Sequence, residues 1–356
     1  MEDAREVIAR FYSDVLEEDV ESVEYLSLDP DGVHAYHVHP EQESITELAH
    51  MIDGSGIKRT LGSMSLRAFS RTPSLLPVLP YIHEGEFVVG TSSSPDIITE
   101  KNQLRLIARN SGVVHLVSLS ADSEVRNIIE VRRKLPSTIN TPTLLEYDSS
   151  VPYLTEEYIE GRLAGDPEPN NVDVYAEVYD QLSTLYGTTT RERMDAKRTS
   201  ELLIDELEGS PIEPELIRTV REIVDDLDHP DFFARCRIHG DVNGRNVIVS
   251  ERGTYLIDWE NSRIDFPMYD LFRPLLIQYF DTADPKPVIE TIQVPNESEY
   301  AAAFARNAGP SVYDQQRWYP LLMVLGIIQC LCHLENHSLL WKRTREIFRT
   351  ILDQLE

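Results

Sequence analysis

The sequence predicts an α+β chain in two lobes, a small β-rich one followed by a larger, mostly helical one, with an extra α/β segment ahead of both. Three observations predict it. Between about 86 and 161, short runs rich in Val, Ile and Leu alternate with turn signals: "EFVVG", "DIIT", "QLRLIAR", "VVHLVSLS", "TLLEYDS" and "YLTEEYIEG". After 162, apolar residues recur at helical spacing in "VDVYAEVYDQLSTLYG", "TSELLIDELE" and "EPELIRTVREIVDDL". One strand–loop–strand stretch, "RIHGDVNGRNVIVSERGTYLIDWEN" at 237–261, interrupts those helices. The organisation expected is a segment 1–85 of unknown role, a β-rich lobe 86–161 and a helical lobe 162–356. A chain of 356 residues is long enough for two or three such subdomains.

Taken in order, "AREVIARFYSDVLEE" has helical spacing. "SVEYLSLDPDGVHAYHV" reads as a hairpin turned at 29–32, where Asp-Pro-Asp-Gly favours a tight turn. "ESITELAHMI" is a further helix. His34, His37 and His39 fall near alternate positions of the second hairpin strand; with no fourth ligand at sensible spacing, a strand-surface role is expected rather than a metal site. "DGSGIK" at 53–58 lacks the span and the Lys-Ser/Thr ending of a phosphate loop and is a turn. A helix is expected over 122–135, capped by Asp122 or Ser123. Towards the C-terminus "ESEYAAAFARN", "YDQQRWYPLLMVLGIIQCLCHL" and "LLWKRTREIFRTILDQL" are helical, the middle one apolar enough to be buried.

Composition excludes several classes. The longest apolar stretch, "YPLLMVLGIIQCLCHL", is shorter than a membrane span and broken by Gln329 and His333. The N-terminus is acidic, without a basic-then-apolar leader, so a cytoplasmic protein is expected. Cys236, Cys330 and Cys332 are too few for a disulfide framework. The net charge is −28, from 61 acids against 6 Lys and 27 Arg. The acids are scattered rather than gathered in a tail, and no basic stripe offers a nucleic-acid surface. Dispersed acidity with few lysines resembles proteins of salt-accumulating halophilic archaea, where molar salt screens the self-repulsion.

The chemistry concentrates at 237–261. Asp241, Asn246 and Asp258 stand among strand-like residues such as "VIVS" and "TYLID". Carboxylates near a core cost free energy unless paired, and a divalent cation would be such a partner. Magnesium takes oxygen ligands, usually one or two carboxylates with phosphate oxygens. Asp258 and Asn246 could supply them, which would leave Asp241 to orient a hydroxyl and accept its proton.

"HGDVNGRN" followed by "LIDWE" resembles the catalytic core of the aminoglycoside phosphotransferase and choline kinase group, whose fold is protein-kinase-like. The resemblance implies a catalytic role for Asp241 and magnesium ligation by Asn246 and Asp258. It leaves His239 as a loop-packing residue and makes Asp270, in "DFPMYDLF", a structural clamp. "YLTEEYIEG" resembles the family's hinge, so that Glu157, Tyr158 and Ile159 would meet the adenine; the side chains of Glu156 and Glu157 are expected to be solvated. The β-rich lobe departs from the pattern. Ser118 falls where the phosphate-pairing lysine belongs, and "TEKNQL" replaces a glycine-rich loop. Lys101 or Arg105 would have to approach a phosphate, and Glu130, or else Glu124, would be the helix glutamate. The function implied is a kinase moving the γ-phosphate of ATP or GTP, with Mg2+, to a hydroxyl of a small molecule. The alternative is a pseudokinase that binds nucleotide or a partner without turnover. The acceptor and the oligomeric state stay open.

Overall fold

The computed structural model describes residues 4–28, 35–40, 44–45, 82–92, 94–100, 103–119, 124–148, 152–165, 172–190, 192–209, 212–271, 273–275, 319–333 and separate positions between 342 and 352. His34, Lys101, the "DGSGIK" turn, "ESEYAAAFARN" and all but two residues of the 43–52 helix lie outside them. The chain divides into two units, one of 1–134 with 142–160, the other of 135–141 with 161–356.

The first unit is one eight-stranded sheet. Its strands are β1 (Val20–Leu28), β2 (Ala35–Val38), β3 (Ile82–Gly90), β4 (Ile97–Glu100), β5 (Gln103–Ala108), β6 (Val113–Ser118), β7 (Leu144–Asp148) and β8 (Tyr153–Glu157). They are ordered β3-β1-β2-β4-β5-β6-β8-β7. The expected junction at 85/86 falls inside β3, which pairs antiparallel with β1 from Val20↔Gly90 to Leu28↔Ile82. The early strands therefore extend the sheet of the later ones.

Strand alternation gives the sheet two apolar faces. Leu104, Leu106 and Val117 pack with Ile8, Phe11 and Tyr12, from helix α1 (Ala4–Arg10) and the π-helical turn Phe11–Val15 that continues it. Ile107, Val114, Leu116 and Leu154 pack with Val125, Ile128 and Ile129 of helix α2 (Glu124–Arg132). Each fully buried aliphatic side chain contributes roughly 1.5–3 kcal/mol. His37 is buried rather than on the strand surface: its Nδ1 is 2.8 Å from Ser27 Oγ and its ring 4.5 Å from Phe87. No group of three or more potential metal ligands occurs among the described residues.

The second unit carries helices α3 (Val172–Thr189), α4 (Ala196–Glu208), α5 (Pro214–Asp226) and α6 (Tyr319–His333). Its strands are β9 (Arg162–Leu163), β10 (Glu192–Asp195), β11 (Phe232–Ile238), β12 (Val247–Ser250), β13 (Gly253–Leu256) and β14 (Arg263–Asp265), in two three-stranded sheets ordered β10-β11-β14 and β13-β12-β9. Helix α3 buries Tyr175, Val178, Tyr179, Leu182, Leu185 and Tyr186, one face at helical spacing. Asp195 caps α4 by accepting the Arg198 N–H at 2.8 Å, and Pro214 opens α5. Segment 135–141 is tied in through Asn140, whose N–H donates to Gln181 and whose C=O accepts from Leu256. Helix α6 buries Leu321, Val324, Leu325, Ile328 and Leu331 and is a core helix. No helix among the described residues is long and apolar enough to cross a membrane.

Candidate active site

The loop 239–246 leaves the buried strand β11 and enters β12. Gly240 has φ +83, a left-handed conformation, and a Cβ there would lie 2.2 Å from Asn261 O. Only glycine fits. At Gly244 an added Cβ would lie 2.5 Å from the Gly165 backbone, and the Gly165 N–H donates to Gly244 O at 2.9 Å. The loop is thereby closed against the strand that follows residue 161.

Asp270 holds the loop's first two residues. It is fully buried, and its carboxylate accepts the His239 and Gly240 N–H groups, each at 2.8 Å, and the Tyr186 hydroxyl at 2.9 Å. Burial pushes its carboxyl above the usual range, while the N–H groups and the hydroxyl that donate to it pull the other way. His239 is buried beside Trp259, with ring centroids 4.5 Å apart. Its Nε2–H donates to Ile257 O at 2.9 Å and its Nδ1 accepts the Asp241 N–H at 3.3 Å. Those partners fix one neutral tautomer and occupy both ring nitrogens. The imidazole is a strut.

Asp241 is gripped from two sides. Its Oδ1 accepts from Arg273 Nε at 2.7 Å and its Oδ2 from Asn246 Nδ2 at 3.0 Å. Its main-chain carbonyl accepts from Asn243 Nδ2 and Asn246 Nδ2, each at 2.9 Å. Asn246 O accepts the Ile257 N–H at 3.0 Å, one step beyond the Val247↔Leu256 pair of the β12–β13 hairpin. Asp258 follows at the same hairpin end. Its φ of +65 turns the chain into the short 3-10 turn Trp259–Asn261, and aspartate tolerates that conformation better than most residues.

This donor set fits magnesium. Asn246 spends its Nδ2–H on Asp241, and no described donor reaches its Oδ1, the half of the amide that a hard cation takes. Asp258 and Asn246 Oδ1 would hold the ion, which would neutralise phosphate charge.

Arg273 was not singled out from sequence. It lies three residues after Asp270 in a helical segment (268–271, resuming at 273–275), so that the two share one side of it. That spacing in "DLFR" was the available signal.

In the first unit, Ser118 ends β6 on the face that Val114 and Leu116 present to α2, opposite Gln103. By the same alternation Arg105 faces that side, opposite Leu116. Glu130 does not: its side chain is 67% exposed and pairs with Lys134 one turn away, because the sheet-facing positions of α2 are Val125, Ile128, Ile129 and Arg132. Glu156, expected in solvent, is instead paired at 2.6 Å with the buried Arg132. Glu157 Oε2 accepts from Thr143 Oγ1 at 2.9 Å. The Tyr158 N–H donates to Gly112 O at 2.8 Å, and Ile159 is buried.

A sequence model of the phosphotransferase enzyme family matches residues 103–315, more than half of the chain, and the chain belongs to that family. Its described residues are α+β in two compact units, one built on the eight-stranded sheet and the other carrying most of the helices. Among solved structures, a choline/ethanolamine kinase family protein from Mesorhizobium loti is 14% identical, with a TM-score of 0.44 over 72% of this chain and 90% of that one. Aminoglycoside 2'-phosphotransferase-IIIa, solved with GDP, is 14% identical, with a TM-score of 0.47 over 71% and 90%. Choline kinase LicA from Streptococcus pneumoniae is 16% identical, with a TM-score of 0.44 over 71% and 90%. No curated protein matches the chain.

Proposed function

We propose that this chain is a small-molecule kinase that transfers the γ-phosphoryl group of ATP or GTP to an acceptor hydroxyl. The observation that carries this reading is the fixed Asp241 carboxylate, held through Arg273 Nε and Asn246 Nδ2 on a loop pinned by Asp270. Phosphoryl transfer is mostly positioning and charge neutralisation, and a carboxylate so held can orient a hydroxyl and take its proton. Asn246 and Asp258 would hold magnesium, which supplies neutralisation of phosphate charge. In the β-rich unit the backbone at Glu157–Ile159 would meet the base, with the Ile159 peptide as the contact, since the Tyr158 N–H is already spent on Gly112. Arg105 would serve a phosphate in place of a lysine at 118. Such a kinase would work in the cytoplasm on a diffusible acceptor.

A second reading, a binding module without turnover, is favoured by one observation: Ser118 stands where the lysine belongs, and among the described side chains the α2 face towards it is apolar apart from Arg132. One experiment separates the two. The protein is incubated with magnesium and γ-labelled ATP or GTP in molar potassium chloride against fractionated metabolites, and label transfer is followed. Asp241→Asn should keep nucleotide binding and lower turnover by about 10²- to 10⁴-fold, a barrier change of roughly 3–5 kcal/mol. Asp258→Ala should abolish magnesium-dependent thermal stabilisation by nucleotide. Nucleotide binding without any transfer, equal in wild type and Asp241→Asn, would establish the binding module.

A further inference from the structure

The geometry points to Arg273 as a positioning residue for Asp241, an inference that rests on the kinase reading above. The helical segment from 268 meets three consecutive loop residues with two side chains. Asp270 takes the N–H groups of His239 and Gly240, and Arg273, one turn later, takes Asp241 Oδ1 at 2.7 Å. The two residues are three apart and so project from the same side of the helix. One rigid element thereby sets both where the loop's backbone lies and which way its carboxylate points.

The contact is sheltered: the Arg273 and Asp241 side chains are 15% and 18% exposed. A charge-assisted hydrogen bond in such a place is stronger and more directional than one in water. Asn246 holds the other oxygen at 3.0 Å. With a donor on each oxygen the carboxylate plane cannot swing, while each oxygen keeps a further lone pair for an acceptor hydroxyl. Asn246 alone leaves rotation about the Asp241 side-chain bonds. Misplacement of a reacting group by an ångström costs on the order of 10²-fold in rate. Arg273 removes that freedom.

The test compares wild type with Arg273→Gln, Arg273→Lys, Asp241→Asn and the double variant Arg273→Gln/Asp241→Asn. The readouts are kcat and KM for phosphate release from MgATP with water as acceptor, and the midpoint of urea unfolding. Arg273→Gln should lower kcat by about 10- to 100-fold, leave KM for MgATP unchanged and leave the protein fully folded under the assay conditions. Arg273→Lys, which retains a charged donor, should recover part of the loss. The double variant should be no slower than Asp241→Asn, because an arginine acting through Asp241 has nothing left to position. Losses that multiply in the double variant, or an Arg273→Gln protein as fast as wild type or faster, overturn the proposal. A fall in unfolding midpoint that accounts for the lost rate marks a structural arginine and overturns it too. Full turnover by Asp241→Asn, or no phosphate release or transfer by wild type from MgATP or MgGTP either to water or to the fractionated metabolites, overturns the kinase reading itself and the positioning role with it. A slow Asp241→Asn beside a full-speed Arg273→Gln overturns the positioning role alone.

Discussion

His115 shows how a single side chain sets a pH limit on the fold. It sits in the middle of β6, packed against the rings of Phe11 and Tyr12, with Nδ1 2.9 Å from Thr155 Oγ1. Burial pushes its pKa down to about 4, against a weaker upward pull from Glu18. The folded state thus refuses a proton that the unfolded chain accepts below its ordinary value near 6.5. Stability is unaffected by this group above about pH 6.5, falls as pH drops from there towards 4, and then levels off. The full effect is about 3 kcal/mol, at roughly 1.4 kcal/mol per pKa unit. Urea unfolding at pH 7 and near pH 4.5 should show wild type losing more stability than His115→Gln, and equal losses would refute the assignment. The motif residues 241, 246 and 258 were legible in the sequence because their spacing is local. Arg273 and Arg132 were not, since each finds its acid only after the chain has folded back.

Strands of the β-rich unit were legible through period-two alternation, and the helices through their buried stripes. The short strands β9, β10 and β14 carry too few apolar residues for either pattern, and pairing alone makes them strands. The merger of β1 and β2 with the later sheet was equally unreadable, because strand pairing over such separations leaves no periodicity. At this scale the unforeseen device is the tie between α2 and β8. Arg132, 3% exposed, pairs with Glu156 at 2.6 Å and also donates to Pro142 O, so one guanidinium joins helix, connection and strand just before Glu157. Arg132→Met would leave the Glu156 carboxylate sheltered and uncompensated, at a cost of roughly 3–5 kcal/mol. Adding Glu156→Leu should restore much of it, since two apolar groups need no partner. A double variant no more stable than Arg132→Met, in chemical unfolding, would show that packing rather than charge pairing makes the tie.

Over the whole molecule, charge is the dominant feature. Between 201 and 228, helices α4 and α5 and their ends expose Glu201, Asp205, Glu206, Glu208, Glu215, Glu222, Asp225, Asp226 and Asp228. Few cations stand among them: Arg221 serves both Asp205 and Glu208, and Arg218 reaches Glu222 only at 3.8 Å. Exposed pairs of this kind contribute about 0–1 kcal/mol each. They do not offset the summed repulsion of a chain at −28. The folded state gathers these like charges and the unfolded chain spreads them, so unscreened repulsion favours unfolding. Screening shortens the reach of each charge from about 10 Å at 0.1 M salt to about 3 Å at 1 M. The protein should therefore gain stability steadily between about 0.1 M and 1 M potassium chloride, with most of the gain lost again on dialysis to low salt. Replacing Glu201, Asp205 and Asp225 with glutamine or asparagine should lower the salt requirement without altering the fold. Circular dichroism and thermal unfolding at the two salt concentrations decide it: identical curves would mean that the acids are a solvated coat with no hold on stability.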